Sequence, residues 1–281
     1  MAYENFTLNI KDKVAILKLN RPEQANALKI NALEEFAAAL ESVRDNEEVC
    51  SVLLYGAGKH FCAGNDVAER AFSEKAQAGR DYLSYWDEFQ QRHIYETYIY
   101  NFPKPTVAAV HGSCLGAGLE LVSLFDFVVA SEDAKFGLPE MRMSIVPLTR
   151  LAFAYNQLRF VKEMVMTGEN VTVDRACQMG LINRIVPREN LMDEAMILAR
   201  KLALMPPETM RVAKEAFNRV NQMQGYDVIS KEGQGFLVHS LQYPTWMREQ
   251  YNAIGKEQGP GAAFKWQKEY FAQAEKPFEE P

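Results

Sequence analysis

The chain has 281 residues, of which 48% are hydrophobic, so it can bury one large core or a core with a small appendage. Its 31 Lys and Arg residues stand against 37 Asp and Glu residues, which gives a formal net charge of −6 at pH 7. This balance argues against nonspecific nucleic-acid binding, because that task needs a basic surface.

Strands and helices are predicted to alternate along the first part of the chain. Residues 14–19 and 51–55 are mostly apolar runs, which predicts strands, and a helix is predicted between them at 31–46. Further strands are predicted at 106–110 and 127–130. Such alternation is typical of βαβ units with short parallel strands.

The character of the chain changes past about residue 190. Helices are predicted there at 192–204, 207–222 and 260–274. We therefore divide the chain into a core of residues 1–190 and a C-terminal helical region of residues 191–281.

A glycine-rich turn follows the strand predicted at 106–110. It reads Leu115-Gly116-Ala117-Gly118-Leu119-Glu120, and the apolar residues after it predict a buried helix that begins at this turn. Unpaired N–H groups at a helix N-terminus favour negative charge, so the turn is a candidate anion cradle. It lacks the Gly-Lys-Ser/Thr ending of a phosphate-binding loop and the third glycine of a dinucleotide motif. An oxyanion cradle and an ordinary strand-to-helix turn both stay open at this point.

A second glutamate, Glu140, ends another turn-forming run, Phe136-Gly137-Leu138-Pro139. Two carboxylates beside an anion cradle can activate water and deliver a proton, provided that they hold unlike protonation states at one pH. Taken alone, Glu140 after a proline is also typical of an acidic residue at a helix start.

These turns belong to a longer series of motifs. The series is Leu19-Asn20-Arg21-Pro22, Asn26-Ala27-Leu28, His60-Phe61-Cys62-Ala63-Gly64-Asn65-Asp66, Lys104 to Glu120, Phe136 to Pro147, Met166-Thr167-Gly168 and Ala176 to Val186. In this order the motifs resemble the crotonase superfamily, the enoyl-CoA hydratases and isomerases, over nearly the whole chain. The resemblance implies an α/β fold, a crotonase-like spiral of repeated ββα units with a C-terminal helical region.

The resemblance, closest in pattern to the hydratases, also implies catalytic roles. The backbone N–H groups of Asn65 and Ala117 would form an oxyanion hole for a thioester carbonyl. Glu120 would activate water and Glu140 would protonate the α-carbon, so that a 2-enoyl-CoA becomes a 3-hydroxyacyl-CoA. Ala117 replaces the commoner glycine, which is tolerable if its φ is allowed, because only a backbone group is needed.

Coenzyme A would be bound, by resemblance, by residues from three segments. They are Glu23, Gln24 and Ala25, then Ala63, Gly64, Asp66 and Val67, and near the C-terminus Phe264 and Lys268. Glu23 stands where relatives often have a basic residue, which puts its contact in doubt. The C-terminal aromatic residues are expected to dock on a neighbouring subunit, which implies a homotrimer or homohexamer.

Two other functions stay open. One is an enoyl-CoA isomerase or hydratase-lyase that uses mainly Glu140 on a bulky or aromatic acyl group, since aromatic residues crowd the segment from Phe72 to Tyr100. The other is a non-catalytic RNA-binding relative, which the acidic composition disfavours.

Neither a metal nor a cofactor is expected, because the four cysteines are scattered and coenzyme A is part of the substrate. The first residues resemble no signal peptide and no stretch approaches a membrane span, so the expected location is cytoplasmic.

Overall fold

Nine strands lie in residues 3–72, 81–147 and 158–275, the parts of the chain that the computed structural model describes. They are β1 (Phe6–Lys11), β2 (Val14–Leu19), β3 (Ser51–Gly56), β4 (Thr106–Val110), β5 (Ser113–Leu115), β6 (Phe127–Ser131), β7 (Lys135–Gly137), β8 (Val171–Thr172) and β9 (Arg184–Val186). Six of them form one sheet in the order β1-β2-β3-β4-β6-β9, and β5, β7 and β8 form a second, small sheet. The large sheet is parallel except for the β1–β2 hairpin.

Ten α-helices lie in the same described residues. They are α1 (Ala32–Arg44), α2 (Tyr82–Tyr100), α3 (Ala117–Val122), α4 (Leu158–Thr167), α5 (Val173–Gln178), α6 (Leu191–Ala203), α7 (Pro207–Met223), α8 (Tyr226–Gln242), α9 (Trp246–Gln258) and α10 (Pro260–Phe271). None of the described helices combines the length and apolar character needed to cross a membrane.

The predicted α/β fold with a C-terminal helical region is confirmed, although several elements were not predicted, among them β1, β9 and two C-terminal helices. Helices α8 and α9 follow α7, where the sequence analysis assigned no element. The buried face of α8 includes Ser230, Gly233 and Gln234, so it lacks the apolar repeat by which a helix is recognised.

The sheet separates two hydrophobic cores, because side chains alternate between its faces. Leu17, Leu54 and Ala108 face the larger core, which also holds residues of α1 and α3. Leu53 and Val107 face the other side and pack with residues of α6. The first helix after residue 190 therefore shares a core with the sheet, and the division of the chain at that residue stays a prediction.

Candidate active site

The glycine-rich turn joins the small sheet to a short buried helix. Strand β5 ends at Leu115, Gly116 adopts φ 52° and ψ −126°, and α3 begins at Ala117. The amide of Gly116 donates to the carbonyl of Gly137 at 2.9 Å, which ties the turn to β7. Ala117 is absent from the non-glycine residues with positive φ, so alanine fits this helical position without backbone strain.

The amide of Asn65 lies next to this turn. Leu28 donates its N–H to the Gly64 carbonyl and accepts the N–H of Asp66, both at 2.8 Å, so the Asn65 amide points away from Leu28. Gly64 has φ 106°, and a Cβ added there would lie 3.6 Å from the nitrogen of Ala117. Within the described residues, neither the Asn65 nor the Ala117 amide donates to another protein group. Two adjacent N–H groups are thus available to one acceptor.

Glu120 is buried in α3 and bonded to an arginine. Its Oε2 accepts a hydrogen bond from Nη2 of Arg92 at 2.5 Å, and the exposed fractions of the two residues are 4% and 8%. Arg92 also donates from Nε to Oε1 of Glu96 at 2.8 Å, and Gln234 donates to Oε2 of Glu96 at 3.0 Å. Residues of α2, α3 and α8 therefore form one network, in which a charge-assisted hydrogen bond holds the Glu120 carboxyl group.

Glu140 lies in the 3-10 turn Pro139–Met143, in a contrasting environment. Its Oε2 is buried and has no hydrogen-bond partner among the described residues. Burial and, next, the negative charge of Glu120 raise the pKa of Glu140 to about 8, while Arg92 opposes this shift. At neutral pH Glu140 is therefore mostly protonated, so one carboxyl group of the site can act as a base and the other as an acid.

A cavity of about 210 Å³ adjoins the two amides. Asn65 and Ala117 line it together with Leu28, Arg70, Glu88, Gln91, Arg92 and Tyr95, among others. Arg70 donates from Nη1 to Oε1 of Glu88 at 2.6 Å, and its buried Nε has no partner within the described residues. The cavity wall thus carries charged and amide groups as well as apolar ones.

The structure joins two of the three predicted coenzyme A segments. Ala63 donates its N–H to the Ala25 carbonyl at 2.9 Å, and Asp66 forms an ion pair with Arg21 at 2.9 Å. Glu23, Gln24 and Ala63 are exposed, Ala25 and Val67 are half-buried, and Gly64 is buried.

The third predicted segment lies on α10. Phe264 and Lys268 are exposed there, and the Phe264 ring contacts Tyr251 of α9 at 5.7 Å between centroids. Among the described residues, no hydrogen bond or ring contact links Phe264 or Lys268 to the other two segments. The helix does approach the Glu140 turn, since Gln267 donates to the Arg142 carbonyl at 2.9 Å.

Sequence reasoning missed Arg92 because the aromatic residues of α2 dominated the interpretation of that helix. Phe89 packs in a buried cluster with Leu237 and Val238, and Tyr82 stacks on Trp86 at 6.0 Å. The signal for Arg92 was Glu96 four residues later, a spacing that places both side chains on one face of a helix.

The histidines of the matched motifs lie outside this site. His60 accepts a hydrogen bond from the Ser113 amide at 3.2 Å, and burial lowers the pKa of His111 to about 4. In the described part of the chain, no group of three or more His, Cys, Asp or Glu side chains is arranged to hold a metal ion.

Comparison with known proteins agrees with this architecture. The chain matches the family model described as Enoyl-CoA hydratase/isomerase over residues 9–242. It is 32% identical over 231 residues to 2,3-dehydroadipyl-CoA hydratase of Escherichia coli, covering 80% of this chain and 86% of that protein. It is 30% identical over 244 residues to the short-chain-enoyl-CoA hydratase of Clostridium acetobutylicum, covering 84% and 89%.

A solved structure confirms the predicted crotonase-like fold. The crystal structure of an enoyl-CoA hydratase/isomerase from Xanthobacter autotrophicus Py2 aligns with a TM-score of 0.87 at 26% identity, over 99% of this chain and 100% of that one. Because the family model spans most of the chain, and relatives at least 30% identical are covered over 86% and 89% of their length, the chain belongs to the enoyl-CoA hydratase/isomerase family.

Proposed function

We propose that the chain adds water to a 2-enoyl-CoA thioester to form a 3-hydroxyacyl-CoA. The observation that carries this proposal is the contrast between its two glutamates. Glu120 is ion-paired with Arg92, whereas burial raises the pKa of Glu140 to about 8. Beside them lie two backbone amides that no described protein group occupies. Hydration needs these four components: a base, an acid and two donors for the developing oxyanion.

In the proposed reaction the Asn65 and Ala117 amides hold the thioester carbonyl oxygen. Glu120 accepts a proton from water as the water oxygen bonds to the β-carbon, and the electrons of the double bond move toward the carbonyl oxygen. Glu140 then gives its proton to the α-carbon as the carbonyl reforms. A proton passed from Glu120 to Glu140 through solvent restores the starting state. Donors preorganised at the oxyanion supply a large part of such a rate enhancement.

The runner-up is an isomerase that uses mainly Glu140. An isomerase must begin by removing a proton from the substrate, so it needs its catalytic carboxylate ionised. Since the pKa of Glu140 is about 8, most of this group is protonated at neutral pH. The pKa of Glu140 therefore favours hydration, in which this residue acts first as an acid.

Coenzyme A is proposed to lie along residues 23–25 and 63–67, which the Ala63–Ala25 hydrogen bond brings together. Its acyl group would enter the cavity beside Asn65 and Ala117. Because Arg70, Glu88 and Gln91 line that cavity, substrates with a polar acyl end belong in the test panel. The E. coli relative, by its name, hydrates such a substrate, 2,3-dehydroadipyl-CoA.

The test is a panel of 2-enoyl-CoA thioesters, monitored by the loss of conjugated absorbance and by the mass of the product. The panel should compare crotonyl-CoA, longer unbranched chains, an aromatic chain and the 2,3-dehydroadipyl thioester. We expect a gain of one water with at least one substrate, and no change in rate on adding a chelator. Movement of the double bond without hydration would transfer the protein to the runner-up class.

The active protein is proposed to be a homotrimer or homohexamer. Helix α7 and the residues just before it expose large apolar side chains that a second subunit could cover. They are Leu204, Met205, Val212, Phe217, Val220 and Met223. Light scattering on the preparation used for the assay should give the mass of three or six chains, and a monomer with full activity would contradict this proposal.

A further inference from the structure

We infer that Arg92 is a positioning residue for water addition, which holds the Glu120 carboxyl group in one orientation. This inference rests on the proposed function, since it assigns Glu120 the role of base. The geometry that supports it is the pair of bonds made by one buried guanidinium, 2.5 Å to Glu120 and 2.8 Å to Glu96.

The charge balance explains why such a residue is needed. Three carboxyl groups lie around Arg92: Glu120 of α3, Glu96 of α2, and Glu140, whose pKa is influenced by both Glu120 and Arg92. Arg70 forms an ion pair with Glu88 on the same cavity wall, and Gln234 contributes a neutral amide. Without Arg92, Glu120 and Glu96 would lose the cation that both of them contact, and like charges close together disfavour each other's ionised form.

The network also fixes the direction of the guanidinium. Nε is bonded to Glu96, which accepts from Gln234 of α8, so that Nη2 is left to face Glu120. A planar guanidinium can bond both carboxylates in a fixed geometry, whereas a lysine ammonium supplies charge without the fork. An Arg92→Lys variant should therefore keep the electrostatic effect and lose part of the orientation.

The first test does not depend on turnover. It is a double-mutant cycle on the thermal unfolding midpoint at pH 8, with Glu120→Gln made in the wild type and in Arg92→Gln. We expect Glu120→Gln to lower the midpoint in the wild type, because it leaves Arg92 without one partner. In the Arg92→Gln background it should lower the midpoint by less, or raise it, because the ion pair is already absent. Equal changes in the two backgrounds would overturn the inference, whether or not the enzyme hydrates any thioester.

The second test is the pH dependence of kcat/KM with the best substrate of the panel. Arg92→Gln should move the acid limb, the fall in rate toward low pH, to higher pH, because an adjacent positive charge favours the ionised form of a carboxyl group. Arg92→Lys should keep the limb near its wild-type position while kcat falls. An acid limb that stays in place in Arg92→Gln would contradict the inference.

Two further variants separate charge from packing. Glu96→Gln removes a negative charge beside the pair, so it should move the acid limb in the opposite direction, to lower pH. If Arg92→Gln fails to fold, Glu96→Gln takes its place in the measurement of kcat/KM against pH. The matched control is Lys214→Gln, since Lys214 forms a buried ion pair with Asp126 at 2.7 Å outside the network. Lys214→Gln should lower the unfolding midpoint without moving the acid or the basic limb of the kcat/KM pH profile. A shifted limb in this control would count against a specific role for Arg92.

Discussion

Glu120 and Glu140 carry the same side chain and follow neighbouring turns of one small sheet, yet their surroundings differ. Glu120 lies on a helix and meets the Arg92 guanidinium at 2.5 Å. Glu140 lies on a 3-10 turn, and its buried Oε2 has no partner among the described residues. The comparison shows that a cation supplied by α2 is bonded to Glu120, whereas burial and the charge of Glu120 raise the pKa of Glu140, a shift that Arg92 opposes.

The two glutamates also depend on each other. The charge of Glu120 is the second cause, after burial, of the raised pKa of Glu140, and Arg92 acts against it. Protons bound by two interacting groups belong to the pair, so any change at one site should be detected at the other.

The largest expected effect comes from removing each acid in turn. Glu120→Gln should abolish water addition but leave some exchange of α-protons, whereas Glu140→Gln should suppress both reactions. A positioned acid or base typically contributes about 10² to 10⁴ in rate. Hydration is measured by absorbance, and α-proton exchange by mass spectrometry of a saturated acyl-CoA in deuterated water.

Glu163→Gln is the control for these substitutions, since Glu163 is exposed and paired with Arg175. It should retain wild-type rates in both assays. Near-normal hydration by Glu140→Gln would refute the assignment of the proton donor. Combined losses should be far from additive, because the two residues act as a unit.

A smaller loss is expected when Glu140 is displaced rather than removed. A Cβ on Gly116 would lie 2.7 Å from Oε1 of Glu140, and Gly116 also has a positive φ of 52°. Gly116→Ala should therefore reduce kcat by about tenfold or more, since small misplacements of catalytic groups are costly.

Gly180→Ala is the control that separates the backbone strain of Gly116→Ala from its contact with Glu140. Gly180 has a φ of 75°, and nothing lies within 4 Å of an added Cβ there. Both variants carry the backbone strain of about 1 to 3 kcal/mol, but only Gly116→Ala touches Glu140. If Gly180→Ala loses as much kcat as Gly116→Ala, backbone strain would account for the loss.

Much of the fold could be predicted because the strands of the large sheet are short apolar runs. Four of these six strands were placed from such runs, and the glycine-rich turn was correctly placed before a buried helix. Helix α8 could not be recognised, because small and polar residues occupy its buried face. The cytoplasmic location, the roles of the site residues and the oligomeric state stay predictions.

The site was harder to predict than the fold because its charges come from distant segments. The resemblance indicated Asn65, Ala117, Glu120 and Glu140, and the structure places each beside the others or in electrostatic contact. Arg92 and Gln234 are far apart in sequence, and both bond to Glu96 in the folded chain. Nothing in the local pattern around Gln234 indicates that it supports this network.

The last prediction concerns stability and uses the same raised pKa. The pKa of Glu140 is about 8 in the folded chain against an ordinary 4.5, so the native state binds this proton more tightly than the unfolded state does. Stability from this group is then fully present below about pH 4.5 and is lost as the pH rises toward 8. Glutamine cannot ionise, so the stability of Glu140→Gln should not show this decrease as the pH rises.

Urea unfolding of the wild type and Glu140→Gln at pH 5 and pH 8.5 measures the effect, at one protein concentration so that the proposed subunit association contributes equally. Relative to the wild type, the variant should gain about 1 to 4 kcal/mol in the free energy of unfolding between these two pH values. Glu163→Gln should show no such gain, because its carboxylate is exposed. A Glu140→Gln difference that is the same at both pH values would mean that Glu140 is ionised throughout, and the two glutamates would then no longer differ in protonation.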